Sequence, residues 1–483
     1  MISDNLGKFY INGKWVAPHS KAKMGVENPA TEEIVAQVAL GDQTDIDAAI
    51  MAARAAFDAY TVWPVAKRIA LVKRILEVYN RRNDEMGAMI SLEMGAPIDM
   101  AKTSQSGSGT WHIMNFITAF EQVEWETPLG AHAPDDRIIK EAVGVCAMIT
   151  PWNWPMNQVT LKVIPALLAG CTMVLKPSEI APLSSMLFAE ILHEAGVPAG
   201  VFNLVNGDGP GVGTQLSGHP DVDMVSFTGS TRAGIAISKN AAETLKHIHL
   251  ELGGKGANIV FADADEKAVM RGARQCFNNT GQSCNAPTRM LVERSIYDRA
   301  VGIAAETAAK TKVASAHESG NHVGPVVSQA QYDKIQGLIQ KGIDEGARLV
   351  AGGLGRPDGL NRGYFVRPTV FADVNNAMTI AREEIFGPVL SIIPFEDEAD
   401  ALRIANDTQY GLTNYVQSQD GARRNRLARR LRSGMVEMNG KSRGAGSPFG
   451  GMKASGRGRE GGIWGIEDFL EVKSVSGWAS DAE

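Results

Sequence analysis

Two tracts of alternating strands and helices predict an α/β protein built on parallel sheets covered on both faces. Over residues 143–252, short apolar runs alternate with amphipathic stretches of helical spacing. Strands buried on both faces read as continuous apolar runs, and the helices between them supply the cover. A second alternating tract runs from about residue 258 to 440. Composition agrees: 483 residues, 44% hydrophobic and 21% charged, describe an ordinary globular chain. At roughly 150 residues per domain its length suggests about three units.

The elements follow in order. Phe9–Val16 carries Asn12-Gly13 between two apolar runs, a hairpin signal. Asp45–Tyr60 and Pro64–Arg82 place apolar residues at helical spacing, so the first 120 residues read as mainly helical after that hairpin. Thr127–Lys140 is polar and reads as a connection or a protruding hairpin. The first tract then gives strand Val143–Thr150, helix Asn157–Ala169, strand Thr172–Leu175, helix Pro182–Ala195 and strand Val201–Val205. A Gly-rich helical turn, strand Asp223–Phe227, helix Arg232–Ala242 and strand His247–Leu252 complete it. The second tract includes helix Asp265–Asn279, strand Arg289–Val292, helix Ile296–Thr311, helix Tyr332–Glu345, strand Arg348–Gly352 and helix Glu398–Asn406. Ala422–Arg432 has six arginines in eleven residues and reads as a helix with a solvated face. Leu470–Trp478 alternates like an edge strand able to add to a partner's sheet.

Several function classes drop out. Net charge is 48 − 54 = −6, so the basic excess of a nucleic-acid binder is missing. The longest apolar run, Val163–Leu175, is broken by Pro165 and Gly170 and is too short to span a bilayer. The N-terminus has no basic stretch followed by an apolar one. Four cysteines without CxxC spacing make neither a disulfide scaffold nor a zinc ribbon. The expectation is a soluble protein of a reducing, cytoplasmic setting, with no nucleic-acid or membrane partner.

Three apparent motifs are decoys. Gly456–Gly461 matches GxGxxG but follows no strand and opens no βαβ unit. Gly440-Lys441-Ser442 resembles the end of a P-loop, yet five residues rather than four separate Gly434 from Gly440. His247 and His249 share a face of one strand but lack a third ligand nearby, which favours a structural role over a metal site.

Most productive signals lie where strands end. Cys284 instead sits in the small polar loop Asn278–Asn285, just after a helical pattern ends, where backbone amides can stabilise a thiolate. Cys146 and Cys171 fall in apolar strand contexts and Cys276 within a helix, where packing is the default role. Glu251 ends a strand and leads into Leu252-Gly253-Gly254-Lys255; a cap is the bland alternative to a catalytic carboxylate. Asn153 follows a strand inside Pro151-Trp152-Asn153-Trp154-Pro155, whose rings would hold its amide as an oxyanion donor, or simply make a turn. Lys176 and Glu179 follow another strand and could hydrogen-bond a ribose diol. Gly229 and Gly234 bracket a helix start behind Ser230, a place for a diphosphate.

Taken together, these segments resemble the aldehyde dehydrogenase superfamily. PWNWP at 151–155, KPSE at 176–179, FTGS at 227–230, ELGGK at 251–255, GQSC at 281–284, EEIFGPV at 383–389 and PFGGMKASGRGRE at 448–460 occur in the family's order. The resemblance implies a Rossmann-type cofactor domain (1–123 and 143–252), an α/β catalytic domain (253–469) and a small β oligomerisation element (124–142 and 470–483). It implies oxidation of an aldehyde to an acid through a thioester on Cys284, with Glu251 as the base for deacylation. Asn153 and the Cys284 N–H would form the oxyanion hole. Cofactor contacts would come from Thr150, Trp152, Lys176, Ser178, Glu179, Gly209, Gly213, Phe227, Gly229, Ser230, Gly234, Leu252, Glu384 and Phe386. NAD is the expected cofactor because Glu179 would repel a 2′-phosphate; NADP stays open, since similar members with this Glu accept it. A homodimer or homotetramer is implied. Substrate contacts would be Gln158, Leu161, Lys441, Arg443 and Phe449. Small residues and two cations there suggest a semialdehyde or ω-oxo acid, unless both cations are lid or surface charges. The loop and tail are similar to a bacterial subgroup acting on ω-oxo acids and pyridine-derived semialdehydes. Two rivals are a CoA-acylating member, which would usually lack Glu251, and a catalytically silent relative, which would usually lack Cys284 or Glu251.

Overall fold

The computed structural model describes residues 4–479; the ends of the predicted terminal units, 1–3 and 480–483, lie outside the described residues. Strands in chain order are β1 Phe9–Ile11, β2 Lys14–Val16, β3 Lys23–Asn28, β4 Glu33–Ala39, β5 Glu126–Gly130, β6 Ala133–Ala142, β7 Val145–Ile149, β8 Thr172–Lys176, β9 Phe202–Leu204 and β10 Met224–Thr228. The series continues with β11 His247–Glu251, β12 Ala257–Val260, β13 Arg289–Glu293, β14 Arg348–Ala351, β15 Thr369–Ala372, β16 Val389–Phe395, β17 Thr413–Gln417, β18 Met435–Met438, β19 Gly456–Arg457 and β20 Leu470–Ser476.

Two α/β sheets dominate. The first has order β19-β11-β10-β7-β8-β9-β1-β2, and its five central strands are mutually parallel. The second has order β14-β15-β16-β13-β12-β17-β18, parallel except for the edge strand β14. Strands β7, β8, β10 and β12 are buried throughout. That is why they lack the alternation of a half-solvated strand. In the first sheet the chain runs from β7 outward through β8 and β9, then returns to the other side of β7 for β10 and β11. The reversal between β7 and β10 is a topological switch point, where a crevice opens beyond the strand ends.

A third, antiparallel sheet has order β20-β6-β5. The segment 127–140 is thus a hairpin, and the alternating tail pairs along β6 from Leu470↔Ala142 to Ser476↔Asp136 within its own chain. The two residues of β19, which open the GxGxxG match, pair antiparallel with β11 in the first sheet.

Two readings need correction. The mainly helical first 120 residues contain a second hairpin, β3–β4, that joins neither large sheet. Its strands mix exposed, half-buried and buried positions, so no clean apolar run marks them. The helix expected to reach Asn279 ends at Phe277; Asn279 and Thr280 adopt φ of 52° and 55°. Paired non-glycine residues in the left-handed region are strained, and here they turn the chain toward Cys284.

Candidate active site

At the switch point lies a cleft of about 210 Å³. Trp152, Asn153, Gln158, Gly229, Ser230, Glu251, Leu252, Cys284, Glu384 and Phe386 line it, so ten predicted residues from both α/β units meet there. Gly254 makes the meeting possible, because a Cβ there would stand 2.4 Å from the Cys284 carbonyl oxygen. Gly281, at φ +72°, would place a Cβ 2.1 Å from the Gly387 backbone. Neither position admits a side chain without moving backbone.

Asn153 is buried and held by a network that its neighbouring rings alone would not provide. Its Nδ2 donates to the Gln282 carbonyl at 3.0 Å, while its own carbonyl accepts from Asn279 at 2.9 Å and Gln105 at 3.1 Å. Gln105 also donates to Asn279 Oδ1 at 3.1 Å. Trp154 contributes by donating from Nε1 to Ser283 Oγ at 2.8 Å. The loop carrying half-buried Cys284 is therefore tied to the loop carrying Asn153 from both sides. Burial pushes the Cys284 thiol up, and the carboxylates of Glu384, Glu251 and Glu460 add to it, with Arg443 opposing. The other three cysteines are buried, as their contexts suggested.

Glu251 is buried, and neither carboxylate oxygen has a hydrogen-bond partner. Burial drives it above the usual carboxylate range, against the pull of His249. Glu384 accepts from the Gly254 N–H at 2.9 Å. Phe386 holds φ +59°, meets Trp152 edge-on at 5.5 Å, and is pinned by Gln331 Nε2 donating to its carbonyl at 2.8 Å.

The remaining cofactor candidates gather nearby rather than on this cleft. At the end of β8, Lys176 Nζ donates to Glu179 Oε2 at 3.1 Å. Gly213 lies beside them, with a Cβ position 3.8 Å from Lys176 Cδ, and Gly209 begins the same helical turn. Ser230, already on the cleft wall, caps the helix Thr231–Ala241, its Oγ accepting from Ala233 N at 3.3 Å. Thr150 and Ser178 are buried at strand ends. Phe227 and Gly234 act from beneath: Phe227 packs in the core under Gly229, and Gly234 lets Leu252 close over the helix.

A second cleft, of about 260 Å³, adjoins through the helix Pro155–Ala169. Leu161, Arg443 and Phe449 line it; Lys441 is exposed and lines neither cleft. Arg443 lies 4.6 Å over the Phe449 ring, with Nε 3.3 Å from Glu437 Oε1. The two cations expected here thus reduce to one, already paired with a carboxylate. Trp111, His112 and Phe116 from the helix Ser106–Phe120 supply walls the sequence reading missed. His112 Nε2 meets Asn157 Oδ1 at 2.7 Å, and burial lowers it to about 4, so it is neutral.

The cofactor candidates fit a dinucleotide. Thr228 Oγ1 is buried on the cleft wall without a hydrogen-bond partner, and Lys176 with Glu179 offers a donor and an acceptor two strands away.

Comparison with known proteins agrees. The profile described as "Aldehyde dehydrogenase family" matches residues 15–475. A Pseudomonas protein named 3-succinoylsemialdehyde-pyridine dehydrogenase is 50% identical over 473 residues, 98% of each chain. The crystal structure of an aldehyde dehydrogenase from Bartonella henselae superposes with TM-score 0.97 at 60% identity, covering 98% of this chain and 99% of its own. A mutant aldehyde dehydrogenase C from Pseudomonas syringae, complexed with NAD+ and octanal, gives TM-score 0.97 at 46% identity, over 100% of this chain and 99% of that one.

Proposed function

Because the chain belongs to the aldehyde dehydrogenase family, we propose that it oxidises a semialdehyde or ω-oxo acid to the carboxylic acid with NAD. The observation that carries this reading is the meeting of Cys284, Asn153 and Glu251 in one cleft at the switch point. The Cys284 thiolate attacks the aldehyde carbon, whose C=O electron pair moves onto oxygen, to form the thiohemiacetal oxyanion. One Asn153 amide hydrogen serves Gln282, and the other, with the Cys284 backbone N–H, stabilises the oxyanion. When bound, the nicotinamide supplies the hydride acceptor that turns this adduct into a thioester. Glu251 then takes a proton from water, whose oxygen bonds to the acyl carbon as the C–S bond breaks. Glu251 on the cleft wall supports water over CoA as the acyl acceptor, and Cys284 with Glu251 argues against a silent relative.

Glu384, Phe386 and Trp152 would hold the nicotinamide ribose and ring, Ser230 the diphosphate, and Lys176 with Glu179 the adenine ribose. The Glu179 carboxylate favours NAD over NADP by repelling a 2′-phosphate. The three-part division 1–123 with 143–252, 253–469, and 124–142 with 470–483 draws support from sheet membership, except that β19 pairs with β11. The edge strands β5 and β20 support a homodimer or homotetramer. No described helix is long and apolar enough to cross a membrane; a cytoplasmic location is our reading.

The second cleft selects the substrate. Arg443 keeps donors beyond the Nε turned to Glu437, suited to a far-end carboxylate or ketone. Trp111, Phe116 and Phe449 give apolar walls. The name of the Pseudomonas relative, a semialdehyde dehydrogenase, favours the same class. The test is NADH formation on two aldehydes of matched length, one ending in a carboxylate and one in a methyl group. At least about a tenfold advantage in kcat/KM for the acid, ~1.4 kcal/mol, is expected. Equal or reversed values would overturn the semialdehyde reading and leave the aldehyde chemistry standing.

A further inference from the structure

Behind Glu251 lies a buried row of charged groups that the steps above do not use. His249 stands two residues before Glu251 on β11, and the two-residue period of a strand puts both side chains on one face. His249 Nε2 lies 3.6 Å from Glu251 Oε1, and His249 Nδ1 lies 2.8 Å from Asp468 Oδ2. Histidine and glutamate side chains are each 2% exposed, and Asp468 is a quarter exposed. The Arg459 N–H donates to Asp468 Oδ2 at 2.9 Å, fixing that carboxylate at the end of the helix Gly462–Glu467.

Other charges face this row. Lys162, on the helix Pro155–Ala169, is paired with Glu460 at 2.8 Å and donates to Ser226 Oγ at 3.1 Å. The Arg459 side chain turns to the carbonyls of Gly451 and Gly458. His247, further along β11, lies 3.9 Å from Glu471 on β20. Lys162 already serves Glu460, so the ring of His249 is the cationic group left facing the open oxygens of Glu251.

We propose that His249, oriented by Asp468, is a positioning residue for the catalytic base: a cation that anchors the Glu251 carboxylate and keeps it ionised for hydrolysis of the thioester. The proposal rests on the reading of Glu251 as that base. A carboxylate buried among apolar groups and facing Glu460 favours its protonated form, which cannot take a proton from water. A cation about 4 Å away favours the charged form by one to three pH units. The electrostatics of the pair agree: burial would lower His249, but Asp468 and Glu251 outweigh it and hold the ring protonated. The cation leaves the chemistry balanced. Water still gives its proton to Glu251 and its oxygen to the acyl carbon, and Cys284 leaves as thiolate.

The experiment forms the acyl-enzyme from the carboxylate-ended aldehyde and NAD. It then jumps the pH and follows loss of the acyl mass from Cys284 by intact-protein mass spectrometry between pH 5.5 and 9. In wild type the decay rate falls as pH drops through the titration of Glu251. His249→Gln keeps a polar side chain and removes the charge, so that limb should move up by about one pH unit, while the rate of NADH formation in the first turnover stays within about twofold. Asp468→Asn should move it the same way by less, and it stands in if His249→Gln does not fold. Asp468→Glu should restore the wild-type limb. Limbs superimposable on wild type in both variants would overturn the proposal. Glu251→Gln separates the two readings: if its acyl-enzyme decays at the wild-type rate, the base assignment itself is wrong.

Discussion

The cleft that holds Cys284 is walled largely by strand ends and turns, whereas the neighbouring cleft is walled largely by helices and a loop, with Glu437 from β18. In the first, Asn153, Glu251 and Ser230 follow or end β7, β11 and β10, and Glu384 is fixed to the Gly254 N–H at 2.9 Å. In the second, Trp111 and Phe116 come from one helix, Leu161 from another, and Arg443 and Phe449 from the segment after β18. Backbone holds the chemical groups of the first cleft in place. The second can change most of its lining without disturbing a strand. Chemistry shared across a family belongs in the first kind of site, and selection among substrates in the second.

The largest effect should come from the first cleft. Cys284→Ala removes the only thiol that lines it, so NADH formation should fall by at least about 10³-fold while NAD binding, followed by nicotinamide-site fluorescence quenching, persists. Undiminished turnover would break the proposed mechanism. Next comes the oxyanion donor: Asn153→Ala should cost about 10²- to 10³-fold in kcat, measured as the pre-steady-state rate of NADH formation. Gln105 touches no reacting atom in this reading but grips Asn153 and Asn279 together. Gln105→Ala should cost roughly ten- to a hundredfold in the same rate through misplacement alone, with KM little changed. An unaltered rate would mean that the backbone positions Asn153 without it.

The same contrast explains how much could be read from the amino-acid order. Apolar runs such as Val145–Ile149 and Thr172–Lys176 announce buried parallel strands, and a polar residue directly after such a run stands at the mouth of the sheet. Glu251 and Asn153 were legible for that reason, and Cys284 as a cysteine in a small polar loop after a helix. Gln105 and Asn279 were not, because they act through hydrogen bonds to residues 48 and 126 positions away. Trp111 and Phe116 read as ordinary helix residues until the fold lays their helix beside Pro155–Ala169. His249 was visible in the sequence as one of two histidines on a strand face. Its two-residue spacing from Glu251 was the available signal, and it points to the base rather than to a metal. Lys441 shows the opposite failure, since nearness to Arg443 in sequence did not bring it to the cleft.

The smallest expected effect belongs to the second cleft and sharpens the contrast most. Arg443 stacks on Phe449 and turns Nε to Glu437, a carboxylate that burial pushes up and Arg443 holds down. Arg443→Gln keeps a planar polar group over the ring but removes the cation. The advantage of a carboxylate-ended aldehyde over its methyl-ended counterpart should then shrink by about tenfold, while kcat/KM for the methyl-ended aldehyde stays within about twofold. Glu437→Gln should act in the opposite direction, freeing Arg443 from its partner and raising the preference for the acid. Because Glu437 is half-buried, its charge interacts with Arg443 more strongly than a surface pair would, so the change should survive moderate salt. If both variants leave the ratio of the two aldehydes unchanged, the arginine closes the cleft structurally, and selection must lie with its aromatic walls.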